Sequence, residues 1–261
     1  MGSTGSSKAR LAPETGWALA GAVCVLLAVI LWQWLSDSHA ISPIFYPPPT
    51  RVAQTLANWI TTGKLQTILM PTLMRLGVGC SLGSLAGYAF GIAIGYSRSL
   101  YRLFDPIISL IYPIPKIALL PLIFVIFGFG DSSRQIVIGA VALFPVAINA
   151  ATGVRAINAN YFAIAQVYGA PLPTVFRRIL LPGSLPMTFS GLRIAFNSAF
   201  VATIAVELAA ANDGIGHAIW LAWQTLRTEE LYAGLLLVVV VGLLCNSVLR
   251  ILERIFVRWQ S

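Results

Sequence analysis

The sequence predicts an all-α integral membrane protein with six membrane-spanning helices. Of its 261 residues, 57% are hydrophobic and only 10% are charged, whereas a soluble domain carries about 25% charged residues. Charge is missing from several long apolar stretches, and about 20 apolar residues suffice for a helix to cross the hydrocarbon core. Lys and Arg gather in alternate connections between these stretches, which is typical of multi-pass membrane proteins.

The predicted spans are separated by polar or proline-rich connections. They cover residues 17–35, 71–94, 105–127, 136–151, 188–211 and 231–249. We expect residues 1–16 to form a cytoplasmic tail and residues 17–261 to form one transmembrane domain. A cleaved signal peptide is not expected, because the first apolar stretch is too long and no small-residue cleavage site follows it.

The distribution of positive charge predicts that both termini are cytoplasmic. With six alternating spans, ten Lys and Arg residues fall on the inner side and about five on the outer side. The inner set is Lys8, Arg10, Arg98, Arg102, Arg155, Arg177, Arg178, Arg250, Arg254 and Arg258. This bias explains the net charge of +8 better than nucleic-acid binding, since no basic face is interleaved with polar and aromatic residues.

Glycine and proline single out two of the spans. In the second span Gly79, Gly83, Gly87, Gly91 and Gly95 recur every fourth residue, which predicts close backbone packing against a neighbouring helix, or a self-dimer motif as a narrower alternative. The third span is interrupted by Pro113, Pro115 and Pro121. A broken helix at membrane depth is tolerated where it is buried in protein or lines a cavity.

Three charged residues lie within or beside the spans and are candidates for a translocation pathway, together with Pro113 and Pro115. They are Lys116, Arg193 and Glu207. Charged side chains are costly in lipid and usually face the interior of a bundle or a water-filled path. For Lys116 the alternatives are an anion-favouring residue of the pathway, a side chain that reaches the headgroups, or a structural partner of Glu207. Glu207 is alternatively a gate element.

Signals for an enzyme are nearly absent. The three cysteines and two histidines are not at metal-ligand spacing, so we expect no catalytic residues, no metal and no cofactor in this chain. No phosphate-binding G-x-x-x-x-G-K-[ST] loop occurs. Any ATP and magnesium would therefore be bound by partner subunits.

The long inner segment of residues 155–186 predicts a compact surface knob. Residues 163–169 read AIAQVYG and residues 179–182 read ILLP, which indicates a short helix, a glycine break, a second short helix and a proline stop. Two short helices at the inner surface are suited to dock in a groove of a soluble partner. An ordinary interfacial loop is the alternative.

The spacing of this segment resembles the coupling loop of ABC-transporter permeases. Gly169 is followed after nine residues by Ile179, then by Leu181 and Pro182. In that family the loop docks on the ATP-hydrolysing subunit, so the resemblance implies a coupling role for these four residues and for Ala163 and Ala165. The sequence departs from the family at Ala163, where the family has Glu, and at Ile164, where it has Ala.

Further stretches are similar to permeases of the nitrate, sulfonate, taurine and bicarbonate group. These are residues 45–52 (FYPPPTRV), 112–122 (YPIPKIALLPL), 127–130 (FGFG), 191–195 (GLRIA) and 205–208 (AVEL). The resemblance extends from about Ala40 to the end of the chain. It implies a six-helix type I ABC importer transmembrane domain with cytoplasmic coupling helices.

The resemblance also implies partners and a location. It implies a second copy of this chain, two ATP-hydrolysing subunits, an extracytoplasmic substrate-binding protein and an inner membrane. Members carry nitrate, bicarbonate, taurine or sulfonates, and others carry vitamin precursors or aromatic acids. Lys116 favours a small anion. A stand-alone channel or gradient-driven carrier is the alternative class, because intramembrane charges and broken helices suit either.

Overall fold

The computed structural model describes residues 12–256, and the described part contains eleven α-helices. In chain order they are α1 (Ala12–Asp37), α2 (Pro49–Thr61), α3 (Lys64–Tyr96), α4 (Arg98–Ile111), α5 (Leu120–Phe127), α6 (Asp131–Arg155), α7 (Ala159–Val167), α8 (Leu172–Val175), α9 (Leu181–Ala210), α10 (Ile215–Gln224) and α11 (Thr228–Phe256). The predicted tail falls mostly outside the described residues.

Within residues 12–256, five helical segments are long and apolar enough to cross a membrane. They comprise most of α1 and all of α3, α6, α8 with α9, and α11. Each overlaps one predicted span, and the segment of α8 and α9 begins at Leu172, well before the predicted start at residue 188. The third predicted span differs, because it consists of α4 and α5 joined at a bend of 83°. Counting this pair as one broken span gives up to six.

The bend lies at Tyr112–Pro115, as the prolines predict, and a short 3₁₀ helix (Lys116–Leu119) leads from it into α5. Pro121 was expected to interrupt the span as well, and this is wrong. It lies in the first turn of α5, where the missing N–H of proline would have no helical partner in any case.

Helix α6 lies between α3 and α9 and forms the centre of the bundle. Val137, Ile138, Ala142, Val146 and Ala150 are all 0% exposed. The face toward α3 is built on small residues. A Cβ atom at Gly83 would lie 2.2 Å from the carbonyl oxygen of Gly139, and one at Gly87 would lie 2.3 Å from that of Leu143.

The five glycines from Gly79 to Gly95 form a glycine stripe along α3. This stripe therefore packs within the bundle and not against a second copy of α3. The backbones of α3 and α6 approach so closely that only glycine fits at the contact, and in a membrane this close packing replaces the hydrophobic effect as the force that joins helices. Helix α2 also contributes to the bundle. It buries Val52 and Trp59 in the core shared with α3 and α11.

Replacing Gly83 with Ala should destabilise the protein by about 1–3 kcal/mol, since the added methyl group meets a backbone that cannot move without separating the helices. The matched control is Gly77→Ala in the same helix, where a Cβ atom meets nothing within 4 Å. Thermal unfolding in detergent measures both. Equal unfolding temperatures for the two variants would contradict the close α3–α6 contact.

Candidate functional site

The first of three candidate sites is a network of charged side chains around Arg75 at one end of the bundle. Arg75 is 1% exposed and binds one carboxylate from each of three parts of the chain. Its Nη1 donates to Glu207 of α9 (2.9 Å), its Nε to Asp131 at the start of α6 (2.8 Å), and its Nη2 to Asp213 between α9 and α10.

The carboxylate of Glu207 is fully satisfied although it is 0% exposed. Besides Arg75, it accepts hydrogen bonds from the hydroxyl of Thr72 (2.9 Å) and the backbone N–H of Gly216 (2.9 Å). A Cβ atom at Gly214, whose φ is +100°, would lie 2.4 Å from this carboxylate. Only glycine therefore lets the connection to α10 pass so close to the buried charge.

The second candidate site is a cavity of about 480 Å³ beside the bend between α4 and α5. It is lined by Ile114, Pro115, Lys116, Ile117, Val141, Asn197, Ser198, Val201 and Ala202. Its walls on α6 and α9 lie near the middle of both helices. The broken helix thus lines a cavity at mid-depth, which is where irregular backbone is tolerated in a membrane.

Lys116 both lines this cavity and stabilises the bend. Its Nζ donates to the carbonyl oxygens of Ile111 (3.3 Å) and Tyr112, and lies 5.0 Å and 4.9 Å from the ring centroids of Tyr112 and Phe144. The ammonium group therefore caps the C-terminal end of α4, where helix carbonyls lack partners and favour a cation.

The third candidate site is the segment from α7 to the start of α9, at the opposite end of the bundle. Arg75 and Tyr96 lie 21 positions apart on α3, a distance of about 30 Å, and Tyr96 packs on Phe162 of α7 with ring centroids 6.1 Å apart. Val167 and Tyr168 project from α7 and are 83% and 84% exposed.

Gly169 ends α7 as the glycine pattern predicts. It has φ +60°, the N–H of Ala170 donates to the carbonyl of Ala165 (2.8 Å), and the N–H of Gly169 donates to that of Gln166 (3.1 Å). This pair of bonds is the Schellman ending, in which glycine adopts a left-handed conformation that costs other residues free energy.

The predicted second short helix and its proline stop are not separate from the span that follows. Helix α8 continues through one π turn (Phe176–Leu180) directly into α9. The expectation that Pro182 ends a helix is wrong, because Pro182 is the second residue of α9, directly after the π turn, and the helix continues past it.

Known proteins resemble the chain along most of its length. Residues 82–261 match the family of binding-protein-dependent transport system inner membrane components. The chain belongs to this family. Its sequence is 33% identical to the taurine transport system permease protein TauC of Escherichia coli, over 92% of this chain and 89% of that protein. The permease is 29% identical to the aliphatic sulfonates permease SsuC of Bacillus subtilis, over 94% of this chain and 89% of that protein. It is also 29% identical to the nitrate import permease NrtB of Synechocystis, over 90% of this chain and 88% of that protein.

The fold of the permease also matches a solved transporter. One chain of the methionine ABC transporter MetNI superimposes with a TM-score of 0.64 at 20% identity, covering 72% of this chain and 93% of that chain. The sequence-based expectations of an ABC permease from the nitrate, sulfonate, taurine and bicarbonate group, and of a type I importer fold, are thus confirmed. The family is a transport component and not an enzyme.

The five residues predicted for the pathway fall in different places. Pro115 and Lys116 line the cavity, and Pro113 lies in the bend without contributing to its wall. The hypothesis that Lys116 pairs with Glu207 is wrong, since Glu207 binds Arg75. Arg193 is half-exposed and pairs with Glu253 of α11, about 20 Å along α9 from Glu207.

The predicted coupling residues form one continuous surface segment of the permease. Ala163 is exposed on α7, Ala165 is half-buried, Ile179 lies in the π turn, and Leu181 and Pro182 open α9. Ala165 and Ile179 pack on a small apolar cluster that includes Ile92, Val154, Val175 and Leu180. The segment is thereby anchored on α3 and α6.

Sequence reasoning missed the network around Arg75. It placed Arg75 near the end of a span because it started that span at Pro71, whereas α3 begins at Lys64 and continues through Pro71. The signal was an arginine in an apolar stretch, a residue that normally requires a buried partner. Asp131 and Asp213 lie outside the predicted spans, and nothing in their spacing links them to Arg75.

Replacing Glu207 with Ala should destabilise the permease by about 3–5 kcal/mol, because it removes the one fully buried partner of Arg75 and leaves the buried N–H of Gly216 without its acceptor. Glu229→Ala is the control, since Glu229 pairs with Arg51 at 3.5 Å and is 44% exposed, which makes the pair worth less than about 1 kcal/mol. Thermal unfolding in detergent compares them. A similar small effect for both would mean that the buried pair does not hold the bundle together.

Proposed function

We propose that the chain is the translocation subunit of an ATP-driven importer for a small anionic solute. Two copies would form the pathway, two ATP-hydrolysing subunits would dock on the segment from α7 to α9, and a substrate-binding protein would deliver solute to the other end. The observation that carries this proposal is the exposed, anchored knob around α7 in a chain of this family.

Orientation is part of the proposal. The basic residues near α7 (Arg98, Arg102, Arg155, Arg177 and Arg178) form no ion pair among the described residues, whereas at the other end Arg51, Lys64 and Arg227 are paired with Glu229 or Glu230. Lys and Arg are enriched on the cytoplasmic side whether or not they are paired, and the end of α11 adds Arg250 and Arg254 to the α7 end. We therefore place α7 and both chain termini in the cytoplasm and Arg75 near the outer surface.

Coupling would depend on the geometry of the knob. Tyr168 and Val167 offer apolar surface to a partner, and the apolar cluster beneath α7 connects that surface to α3 and α6. Binding of a partner can change the pathway only if it binds the two pathway states with different affinities. A knob anchored on the central helices is suited to this because its movement displaces them directly.

The substrate is proposed to be an anion such as a sulfonate, taurine, nitrate or bicarbonate. The names of the similar permeases TauC, SsuC and NrtB favour this class, and Lys116 supplies a positive charge at the cavity wall. A channel or gradient-driven carrier is the alternative function. The broken helix suits both, and the exposed knob favours the importer.

Co-purification with the products of adjacent genes tests the proposal. We expect a stable complex with an ATP-hydrolysing subunit whose ATP hydrolysis in lipid is stimulated by a soluble binding protein. A chain that purifies alone and conducts solute without ATP would contradict the importer and favour a channel or carrier.

In that complex, Gly169→Val should reduce uptake at least tenfold, since a β-branched residue at φ +60° costs about 1–3 kcal/mol and distorts the end of α7. Gly169→Asn is the matched control, because Asn tolerates this conformation. Uptake into vesicles and membrane insertion are measured for both. Full uptake by the Val variant would contradict the coupling role of this turn.

For Lys116, two variants test the positive charge and the cap on α4 together. Lys116→Arg preserves both and should retain most uptake, whereas Lys116→Met loses both and should lower uptake of an anion at least tenfold because no cation remains at the cavity. Initial uptake rates over a range of substrate concentrations provide the test. Unchanged transport by the Met variant would exclude Lys116 from the pathway.

A further inference from the structure

The network around Arg75 joins strong, buried contacts with weak, accessible ones. The side chains of Arg75 and Glu207 are 2% and 0% exposed, whereas those of Asp131 and Asp213 are 54% and 51% exposed. Water competes with Arg75 for the two aspartates and cannot reach Glu207. Two of the three ion pairs can therefore break while the buried pair persists.

The two accessible aspartates lie in connections that each contain a glycine at positive φ. Asp131 follows Gly128 (φ +82°), and Asp213 precedes Gly214 (φ +100°). Asp131 also accepts a hydrogen bond from Arg134 (2.7 Å), whose Nη2 donates to the carbonyl of Ala210 at the end of α9 (2.6 Å). The connections α5–α6 and α9–α10 are thus fastened to the same fixed guanidinium group.

Helix α5 lies between this network and the cavity. Leu120 and Phe124 of α5 pack on Val137 of α6 and Val206 of α9 in one buried cluster. Val137 and Val206 are each one helical turn from cavity residues, Val141 and Ala202 respectively. Helix α5 therefore packs on α6 and α9 at the end of the cavity that faces Arg75, and the connection after α5 leads to Asp131, the first residue of α6.

We propose that the ion pairs from Asp131 and Asp213 to Arg75 form a latch that holds α5 over the cavity, and that release of this latch admits solute from the outer side. The pair of Arg75 and Glu207 is the fixed part, and both aspartates act as positioning residues. This latch proposal rests on the proposed function, which places Arg75 near the outer surface. If binding of the substrate-binding protein releases the latch, weakening the latch in advance should reduce the need for that protein.

The test uses the full complex in lipid with Asp131→Asn and Asp213→Asn, each nearly the same shape as the original residue. In the absence of the binding protein, we expect each variant to hydrolyse ATP about two- to fivefold faster than the unaltered complex. A change of this size corresponds to the loss of one half-exposed ion pair. Asp213→Glu retains a carboxylate and should restore a low rate. Glu229→Gln, which weakens the separate pair with Arg51, should leave the rate unchanged.

A second measurement is independent of ATP. Asn197→Cys, at the cavity wall, is introduced after the cysteines at positions 24, 80 and 245 are replaced by serine or alanine. An impermeant thiol reagent added outside should label it about two- to fivefold faster when either aspartate is replaced, in line with the same weakening.

Unchanged hydrolysis and unchanged labelling in both variants, while the unaltered complex is still stimulated by the binding protein, would overturn the latch and leave the proposed function intact. Loss of folded protein in both Asn variants would also overturn it, because the two ion pairs would then be structural. An unaltered complex that lacks stimulation would instead contradict the proposed function.

Discussion

The burial of Arg75 is the constraint on which the rest of the structure depends. A guanidinium group inside a helical bundle requires partners, and it finds them on α9, at the start of α6 and before α10. These contacts fix the relative positions of three helices at one end of the bundle. Because a buried charge without its partner costs several kcal/mol, the helices cannot drift apart at this end, and movement is confined to the segments joined by accessible aspartates.

The glycine stripe fixes the same helices along their length. Where α3 meets α6, each glycine contact is a backbone contact, so the pair behaves as one rigid unit between the two ends. That rigidity connects a knob at one end with the charged network at the other over about 30 Å. The bend at Tyr112–Pro115 is the irregular part, and it lies beside the cavity.

The three proposed functional features, the knob, the cavity and the latch, therefore lie on one framework at different depths. The knob presents apolar side chains at one surface, the cavity carries a lysine at mid-depth, and the latch lies near the other surface. In such an arrangement, a change in affinity at the knob can be transmitted to the latch without local unfolding, because the connecting helices are packed through small residues.

The sequence by itself determined the membrane class, the positions of the spans, the break at Pro113 and Pro115, the glycine ending of α7 and the permease family. These features follow from local rules, since an apolar stretch, a proline or a left-handed glycine acts on its own segment. Only the tertiary structure decided which side chains meet. Glu207 binds Arg75 and not Lys116, and Lys116 caps the helix that precedes it. Arg75 lies 56 positions from Asp131 and 132 positions from Glu207, and ion pairs over such separations leave no periodicity that a sequence can reveal.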